Sequence, residues 1–450
     1  MDASERCTPQ GAPIQSGEES PHSKDCRLTA RYIFPGDGPP IENGIIEVTG
    51  GVVSALHDRR DSSAVDLGNA AIIPGLVNAH THLEFSDLAS PIAPPVPFAD
   101  WIRGIVAYRR ARSGNVVEVI QRGLEESLRA GTTCLGEIAT ADTSQGFSEI
   151  PGICEGPRGV VFRELLGFGP EHVEPQLAVA RSFLVGQAFQ PDPDGRKTSQ
   201  RAGQAGKPDL RDQPDDDRVR LGLSPHAPYS VHPELFAQVA ALAAERNVPL
   251  AVHLAETREE LEFLDRGTGP LAEMMRAFGA WRDGVISPGT RPLDSLRLLE
   301  SAPCVAVVHG NYLADDELEF LSSRENFSLV FCPRTHAYFR HERHPWRKLL
   351  ASGGNVAVGT DSRASNPDLS LWDELCFLRR AHPDLSDVDL LRLGTVNGAA
   401  ALGMQRQCGS LRLGRPADLA VVELRGEGLF DDRNRIGSVM IADFRKGETD

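Results

Sequence analysis

The sequence predicts an α/β protein: a (β/α)8 barrel of the TIM type, with a small β-sandwich domain built from both termini. Three observations support this prediction. Short apolar runs alternate with longer helical stretches over most of the 450 residues, there are eight such runs, and β-like segments rich in turn residues flank them on both sides. Buried parallel strands are typically continuous apolar runs, and eight of them favour a closed barrel.

The N-terminal part of the chain divides into two segments. Residues 1–25 are rich in Ser, Pro, Gly and charge, which is typical of a disordered tail. Over residues 26–70, short β-like runs such as Gly44–Val48 and Val52–Leu56 alternate with turn clusters such as Pro35–Pro40. This segment is expected to form the first part of the small β-domain.

The barrel is expected over residues 71–405. Residues 188–217 interrupt it with polar, Pro- and Gly-rich sequence, which predicts a disordered insertion. A doubly wound open sheet is the alternative, but no GxGxxG fingerprint opens the first unit. The eight apolar runs are Ile72–Ala79, Thr132–Ile138, Gly159–Glu164, Arg218–Pro225, Pro249–Glu256, Cys304–Gly310, Ser328–Cys332 and Asn355–Asp361.

The C-terminal segment, residues 406–450, returns to β-like sequence. It is expected to pair with residues 27–67 and so complete the small β-domain. Both termini would then contribute to one domain beside the barrel.

Composition excludes several classes of partner. The formal net charge is −16 with no block of Lys or Arg, which argues against a nucleic-acid or anionic-membrane surface but is compatible with a small nucleoside substrate. No apolar run reaches the length of a membrane span, and the N-terminus lacks the apolar core of a secretory signal. The eight cysteines include no CxxC pair, so we expect reduced thiols in a cytoplasmic protein. A homodimer is one possible assembly.

Several of the apolar runs end in His, Asp or Glu, and the C-terminal strand ends of a barrel converge on one mouth. His80 and His82 are two apart on a strand, so their side chains point the same way. With His253 and Asp361 they form a set that suits zinc or iron. Glu256 lies three residues beyond His253, a sensible place for a general acid/base. A single strand-end histidine is usually structural, but several ligand-type strand ends in one regular series predict a metal site.

Five motifs together resemble the amidohydrolase superfamily, in its branch of adenosine-type and triazine-ring deaminases and chlorohydrolases. They are PGLVNAHTHLEFS, SPHAPYSV, HLAET, VVHGNYL and GTDSRASNPDLSLWDEL. The resemblance covers the chain except residues 1–25 and the insertion. It implies that the metal ligands are His80, His82, His253 and Asp361, and that the catalytic residues are Glu256, His309 and Asp361.

The lysine count bears on how many metal ions to expect. Another branch of the superfamily holds two metals bridged by a carboxylated lysine on the fourth strand. Between Ala71 and Gly409 the only lysines are Lys197, Lys207 and Lys348, and none ends a predicted strand. One divalent cation is therefore expected, zinc first and iron as the alternative.

These parts predict a hydrolytic deaminase. A divalent cation lowers the pKa of bound water from about 15.7 towards 7, which makes a nucleophile available near neutrality. Glu256 would carry a proton from that water to the ring nitrogen beside the attacked carbon. His309 and Asp361 would orient the nucleophile and stabilise the tetrahedral intermediate. A barrel that binds a metal without catalysing a reaction is the alternative of another class.

Substrate-binding residues are expected in the loops. His226 ends the fourth strand and resembles a family residue that contacts substrate. Arg163 resembles a substrate-contacting arginine, with an ion pair to Glu164 or another carboxylate as the alternative. The segment PFADWI, with Asp100 and Trp101, resembles a loop that reaches over a nucleoside, although Trp101 could equally pack in the core. The His-, Arg- and aromatic-rich stretch Cys332–Trp346 adds Arg334 and His336.

The resemblance also orders the candidate substrates. The segments HTHLEFS, PFADWI, FRELLGF, HAPYSVHPEL and FCPRTHAYFRHERHPWRKLL are most similar to the aminodeoxyfutalosine deaminases, which act in a menaquinone pathway. The 5′-methylthioadenosine/S-adenosylhomocysteine deaminases come second and the triazine hydrolases third. The expected substrate is therefore a 6-aminopurine nucleoside, with aminodeoxyfutalosine as the first candidate because Arg334 and its neighbours could bind a carboxylate.

Overall fold

The computed structural model describes residues 25–59, 62–140, 156–185 and 218–442. The tail predicted at residues 1–25, apart from Asp25, and the insertion predicted at 188–217 lie outside these ranges. Among the helices described, none combines the length and the apolar content needed to cross a membrane.

The described strands fall into a terminal set and a barrel set. The terminal set comprises β1 (Cys26–Thr29), β2 (Tyr32–Ile33), β3 (Ile41–Glu42), β4 (Ile45–Thr49), β5 (Val52–His57), β6 (Val65–Asp66) and β7 (Ala70–Pro74), together with β16 (Leu419–Glu423) and β17 (Arg435–Met440). The barrel set comprises β8 (Leu76–Thr81), β9 (Thr132–Ala139), β10 (Arg158–Leu165), β11 (Val219–Pro225), β12 (Leu250–Leu254), β13 (Val305–His309), β14 (Phe327–Phe331) and β15 (Asn355–Val358).

Helices lie between and after the barrel strands. Two short 3-10 helices span Leu83–Phe85 and Pro170–His172. The described α-helices are α1 (Phe98–Ala111), α2 (Val116–Arg129), α3 (Val173–Val185), α4 (Pro233–Arg246), α5 (Arg258–Arg266), α6 (Gly269–Ala277), α7 (Pro292–Leu298), α8 (Asp315–Ser322), α9 (Pro333–Tyr338), α10 (Trp346–Ala351), α11 (Leu371–Ala381), α12 (Asp387–Leu393) and α13 (Val396–Ala401).

The predicted barrel is confirmed. Strands β8 to β15 form one eight-stranded sheet in sequence order, and each adjacent pair is parallel. A parallel bridge between Thr81 and Asp361 joins the first strand to the end of the last, and the Asp361 N–H donates to the carbonyl of His80 at 3.1 Å. The barrel therefore closes at the same edge where the candidate metal ligands lie.

The first predicted strand, Ile72–Ala79, is divided between two domains. Its N-terminal half is β7, which pairs antiparallel with β16 in the terminal domain, whereas its C-terminal half is β8 of the barrel. The chain crosses over at Gly75, where a Cβ atom would lie 2.0 Å from the Thr133 hydroxyl, so only glycine fits without displacing that side chain. The domain boundary thus follows Pro74, four residues beyond the predicted position at residue 70.

The terminal domain consists of two sheets with strand orders β5-β4-β1-β6 and β17-β16-β7-β2-β3. Apolar side chains from both sheets, including Ile33, Ile46, Val48, Ile72 and Leu419, pack into one buried cluster. The expected pairing of the C-terminal segment with residues 27–67 occurs at an antiparallel bridge between Val52 and Pro416, whereas β16 itself pairs with β7 and β17. Residues 411–417 reach the earlier segment through backbone hydrogen bonds, such as that from the Val53 N–H to the Arg415 carbonyl.

Side-chain alternation along the barrel strands separates two cores. Residues such as Val160, Phe162, Ala251 and Val330 fill the barrel interior. Their neighbours on the opposite face pack against the surrounding helices. A residue at a strand end therefore points into the mouth or away from it according to its parity.

Candidate active site

Three histidines meet at the C-terminal mouth of the barrel. The ligand-capable atoms of His80, His82 and His253 all lie within 4.8 Å of one another, and all three side chains are buried. Among the residues described, both ring nitrogens of His80 and Nδ1 of His82 have no hydrogen-bond partner. Because an unpaired polar atom in a protein interior is costly, this arrangement suits metal ligation.

The state of these rings also favours a cation. Burial lowers the pKa of His82 and of His253, and nearby histidines lower both further, so neutral imidazoles are expected. His253 Nδ1 lies 3.0 Å from the carbonyl oxygen of His226. A carbonyl only accepts, so Nδ1 carries the proton and Nε2 keeps its lone pair for a metal.

Asp361 completes the set that the sequence predicted. Its Oδ1 lies 3.7 Å from His80 Nε2 and 3.8 Å from His82 Nε2, and the Ser365 hydroxyl donates to Oδ2 at 2.7 Å. Burial by itself raises the pKa of Asp361, but the neighbouring His80 and His309 and the hydrogen bond from Ser365 hold that pKa below its usual value. Three imidazoles and one carboxylate are a donor set that fits zinc or iron.

Glu256 lies on a tight turn directly after β12. Ala255 adopts a positive φ of 51°, and Thr257 begins α5 as its N-cap, accepting from the Glu260 N–H at 3.1 Å. The buried Glu260 carboxylate accepts the N–H of Ala255 at 3.0 Å and that of Glu256 at 2.8 Å. These bonds fix the backbone of Glu256 and so aim its side chain.

Glu256 and His309 face each other, with 3.5 Å between Oε1 and Nε2. Burial raises the pKa of Glu256 well above its usual value, and Asp361 and Glu260 raise it further. Burial lowers the pKa of His309. A carboxyl group whose pKa is raised by burial therefore lies beside an imidazole whose pKa is lowered by burial, an arrangement that suits proton transfer.

The backbone of His309 is fixed by a hydrogen bond from a second histidine. His344 Nε2 donates to the His309 carbonyl at 2.7 Å, and the Trp346 N–H donates to His344 Nδ1 at 2.9 Å, which sets the His344 tautomer. His309 and Asp361, like Ala255, have positive φ values, of 68° and 57°. Such conformations cost about 1–3 kcal/mol each and often cluster at functional sites.

His226 lies beside the metal-ligand candidates, where the sequence placed it. Its ring is 4.8 Å from that of His253, and its Nδ1 lies 2.6 Å from the Ser230 hydroxyl. Burial lowers the pKa of His226 to about 3, so the ring is neutral. It is available to a ligand as a hydrogen-bonding group.

The two predicted arginines lie outside the cluster of three histidines. Arg163 lies on the face of β10 that carries Val161 and Leu165, which pack outside the barrel. Arg334 donates from Nε to Glu374 at 2.7 Å and from Nη2 to Asp368 at 2.7 Å. These internal bonds commit most of the N–H groups of Arg334, so its predicted contact with a substrate carboxylate is not supported.

The remaining predicted residues lie on two helices, Asp100 and Trp101 on α1 and His336 on α9. Trp101 donates from Nε1 to the Ala364 carbonyl at 3.1 Å and stacks on Phe98, which matches the packing alternative. Asp100 is half-exposed and forms an ion pair with Arg103. His336 packs against Phe331, and its buried Nε2 has no partner within the described part of the chain.

Sequence reasoning missed the residues that support the site. Glu137 is fully buried and accepts the Leu83 N–H with both carboxylate oxygens, at 3.0 and 3.1 Å, which fixes the turn after His82. Glu260 was detectable, because Thr257-x-x-Glu260 is a capping-box pattern at a helix start. Glu164 points into the barrel beside His226, and the sequence analysis did not predict it as a site residue either.

Known proteins share this architecture. The chain is 28% identical over 419 residues to a 5-methylthioadenosine/S-adenosylhomocysteine deaminase of Pyrococcus furiosus, covering 91% of this chain and 87% of the relative. It is 28% identical over 392 residues to an aminodeoxyfutalosine deaminase of Deinococcus radiodurans, covering 84% and 85%. The crystal structure of an adenosine deaminase from Xanthomonas campestris with bound zinc superposes with a TM-score of 0.67 at 24% identity, covering 94% and 93%.

The family assignment rests on the whole barrel and its C-terminal extension. The sequence profile of the amidohydrolase family matches residues 71–448, which include every strand from β8 to β17. The chain belongs to the amidohydrolase family and is a hydrolase.

Proposed function

We propose that this chain is a metal-dependent hydrolytic deaminase of a 6-aminopurine nucleoside. The observation that carries the proposal is the position of the Glu256 carboxyl group, 3.5 Å from His309 and next to the set of three histidines and Asp361. The names of the relatives agree with this reaction class.

One divalent cation would be held by His80, His82, His253 and Asp361. Zinc is the first candidate because neutral imidazoles and a carboxylate suit it, and iron is the alternative. When bound, the cation would supply a water molecule acidic enough to attack near neutral pH. The lack of hydrogen-bond partners for the buried His80 nitrogens supports this role.

The side chains of the chain provide the proton transfers. Glu256 takes a proton from the attacking water at Oε1 and delivers it to the ring nitrogen next to C6. His309 Nε2 orients the oxygen that adds to C6 and stabilises charge on it. Glu256 then takes the second proton from the oxygen on C6 and passes it to the amine. The C6–N bond breaks as the C6 carbonyl forms, and the products are ammonia and the 6-oxo nucleoside. General acid–base catalysis of this kind contributes about 10²–10⁴-fold.

Aminodeoxyfutalosine is the first candidate substrate. The loop segments resemble the deaminases of that nucleoside, and one relative carries that name. 5′-Methylthioadenosine is the second, and a specific observation favours it: Arg334, the expected partner for a carboxylate on the substrate, is paired internally with Glu374 and Asp368. A methylthio group would need only an apolar pocket.

An ammonia-release assay tests the proposal. Zinc-loaded protein would be assayed with adenosine, 5′-methylthioadenosine, S-adenosylhomocysteine and aminodeoxyfutalosine, with the Glu256→Gln variant as the inactive control. We expect ammonia release from at least one nucleoside, with the highest kcat/KM for aminodeoxyfutalosine. A preference for 5′-methylthioadenosine would overturn the substrate assignment alone, whereas metal binding without ammonia release from any of the four would overturn the deaminase.

A further inference from the structure

The first turn of α1 is capped by a side chain from another helix. The first N–H groups of an α-helix have no intrahelical partner, and in α1 they belong to Phe98 and Ala99. Pro97, which precedes the helix, offers no side-chain acceptor. Glu259 of α5 fills this role instead, because the Phe98 N–H donates to Oε1 at 2.8 Å and the Ala99 N–H donates to Oε2 at 3.2 Å. A half-buried carboxylate thus binds the positive end of the α1 dipole.

This cap lies on the far side of the barrel from the strand that precedes α1. The helix follows β8, whereas Glu259 follows β12, which is four strands from β8 in either direction around the closed barrel. The Phe98 ring packs against Tyr229, which follows β11, and against Phe339, which follows β14. The first turn of α1 therefore lies over the mouth, in contact with segments that follow three other strands.

Two further hydrogen bonds hold the chain around this turn. Trp101 Nε1 donates to the Ala364 carbonyl at 3.1 Å, and the Tyr338 hydroxyl donates to the Ile92 carbonyl. Each is a single bond between neutral groups. Glu259 supplies two bonds to a charged acceptor, and such bonds are about twice as strong as neutral ones. Of these three contacts, the one with Glu259 is therefore expected to contribute most to the position of the turn.

Glu259 and Glu260 are adjacent but act on different elements. Glu260 accepts the N–H groups of Ala255 and Glu256, in the turn that precedes α5. The N–H groups that Glu259 accepts belong to α1. Because the two pairs of hydrogen bonds share no donor, removal of one carboxylate should leave the contact of the other in place.

We propose that Glu259 is a positioning residue for nucleoside binding, which acts by holding the first turn of α1 over the mouth. The carboxylate acts through α1 and not on the reacting atoms. When the turn leaves its place, the binding-competent fraction of the protein falls, and the apparent affinity for the nucleoside falls by the same factor. This assignment rests on the proposed function, because it concerns the affinity for a nucleoside.

Steady-state kinetics test this role. Glu259→Ala, Glu259→Gln and Glu260→Ala would be compared on the nucleoside that wild type deaminates fastest. The matched control is Asp265→Ala, which removes an exposed carboxylate of α5 that pairs with Arg266. In Glu259→Ala the KM should rise about tenfold, the order expected for lost hydrogen bonds to a charged group, while kcat stays within about twofold of the control. Glu260→Ala should instead lower kcat more than it raises KM. Glu259→Gln should give an intermediate KM, because its amide oxygen can still accept one of the two N–H groups.

Hydrogen exchange adds a measurement that does not depend on activity. Peptides that cover residues 98–103 should exchange faster in Glu259→Ala than in Asp265→Ala, because the N–H groups of Phe98 and Ala99 lose their acceptor. The same peptides in Glu259→Gln should exchange at an intermediate rate.

The outcomes separate a positioning role from a structural one. An unchanged KM in Glu259→Ala, even with a lower melting temperature, would show that the carboxylate only stabilises the fold and would overturn the proposal. A fall in kcat as large as the rise in KM would also overturn it. If Glu259→Ala does not fold, the KM of Glu259→Gln decides by the same criterion. If wild type releases no ammonia from any nucleoside, the proposed function fails. Faster exchange of residues 98–103 in Glu259→Ala would then still support its hold on α1, and exchange equal to that of Asp265→Ala would overturn it.

Discussion

The carboxylate of Glu260 holds the turn that carries Glu256, and its removal should weaken both the fold and the reaction. Glu260 is completely buried and accepts the N–H groups of Ala255 and Glu256 at 3.0 and 2.8 Å. Glu260→Ala leaves these two N–H groups without an acceptor. An unsatisfied buried donor costs about 1–3 kcal/mol, so the variant should lose about 2–6 kcal/mol of its free energy of unfolding.

The loss should also reach the active site. Ala255 adopts a positive φ, a conformation that persists only while its surroundings enforce it. Without Glu260 the turn can relax, and Oε1 of Glu256 is then no longer held 3.5 Å from His309. We expect kcat to fall more than KM rises, because the chemical step depends on the position of the proton carrier.

Denaturant unfolding, metal analysis and steady-state kinetics on one preparation would check this expectation. The matched control is Glu245→Ala, which removes an exposed carboxylate at the end of α4. Metal content should stay near that of wild type, because Glu260 touches none of the four proposed ligands. A Glu260→Ala variant with the unfolding free energy and kcat of the control would refute the argument that this carboxylate positions Glu256.

Three further predictions concern the metal set, the proton carrier and Arg334. Glu256→Gln should keep its metal, measured by elemental analysis, while turnover falls about 10²–10⁴-fold, and wild-type turnover would remove Glu256 from the mechanism. His253→Ala should lose most of the bound metal, which in wild type should be about one equivalent per chain; two tightly bound equivalents would contradict the single site. Arg334→Ala leaves Glu374 buried without its cation, so the free energy of unfolding should fall by about 3–5 kcal/mol. The kcat/KM values for all nucleosides should fall by the same factor. A selective loss of activity with one substrate would show that Arg334 belongs to the binding site.

The barrel and the metal set were predictable because both leave local signals. An apolar run followed by a ligand-type residue marks a buried strand and its C-terminal end, and the parallel barrel brings such ends together. His80, His82, His253 and Asp361 converge for this reason. The break inside the first run left no such signal, because Ile72 and Ile73 in β7 are as apolar as Leu76 and Val77 in β8. Only pairing with β16 distinguishes the two halves.

The substrate-binding residues were harder to predict because their role depends on a single step of register. Arg163 and Glu164 are adjacent, and alternation along β10 sends one outward and the other into the mouth. The sequence resemblance points to Arg163, whereas alternation places the Glu164 side chain on the inner face, and the contact of Arg163 with a substrate stays a prediction. Arg334 shows a second obstacle, since its partners Asp368 and Glu374 lie more than thirty residues later. No local pattern distinguishes an arginine that is paired within the protein from one that is open to a ligand.

Residues at the mouth of the barrel differ in whether the backbone or the side chains hold them in position. The groups proposed to carry the chemistry lie on or directly after barrel strands, and three positions beside them, Ala255, His309 and Asp361, have strained backbones. Glu260 enforces one of these conformations through two backbone hydrogen bonds, and barrel closure at Thr81 constrains another, at Asp361. Other groups at the mouth are held through side chains instead: the Glu164 carboxylate lies 3.9 Å from both Arg109 Nη2 and His226 Nε2. A substitution of Glu164 should leave the turns at Glu256 and Asp361 in place, since it breaks none of the backbone hydrogen bonds that hold them.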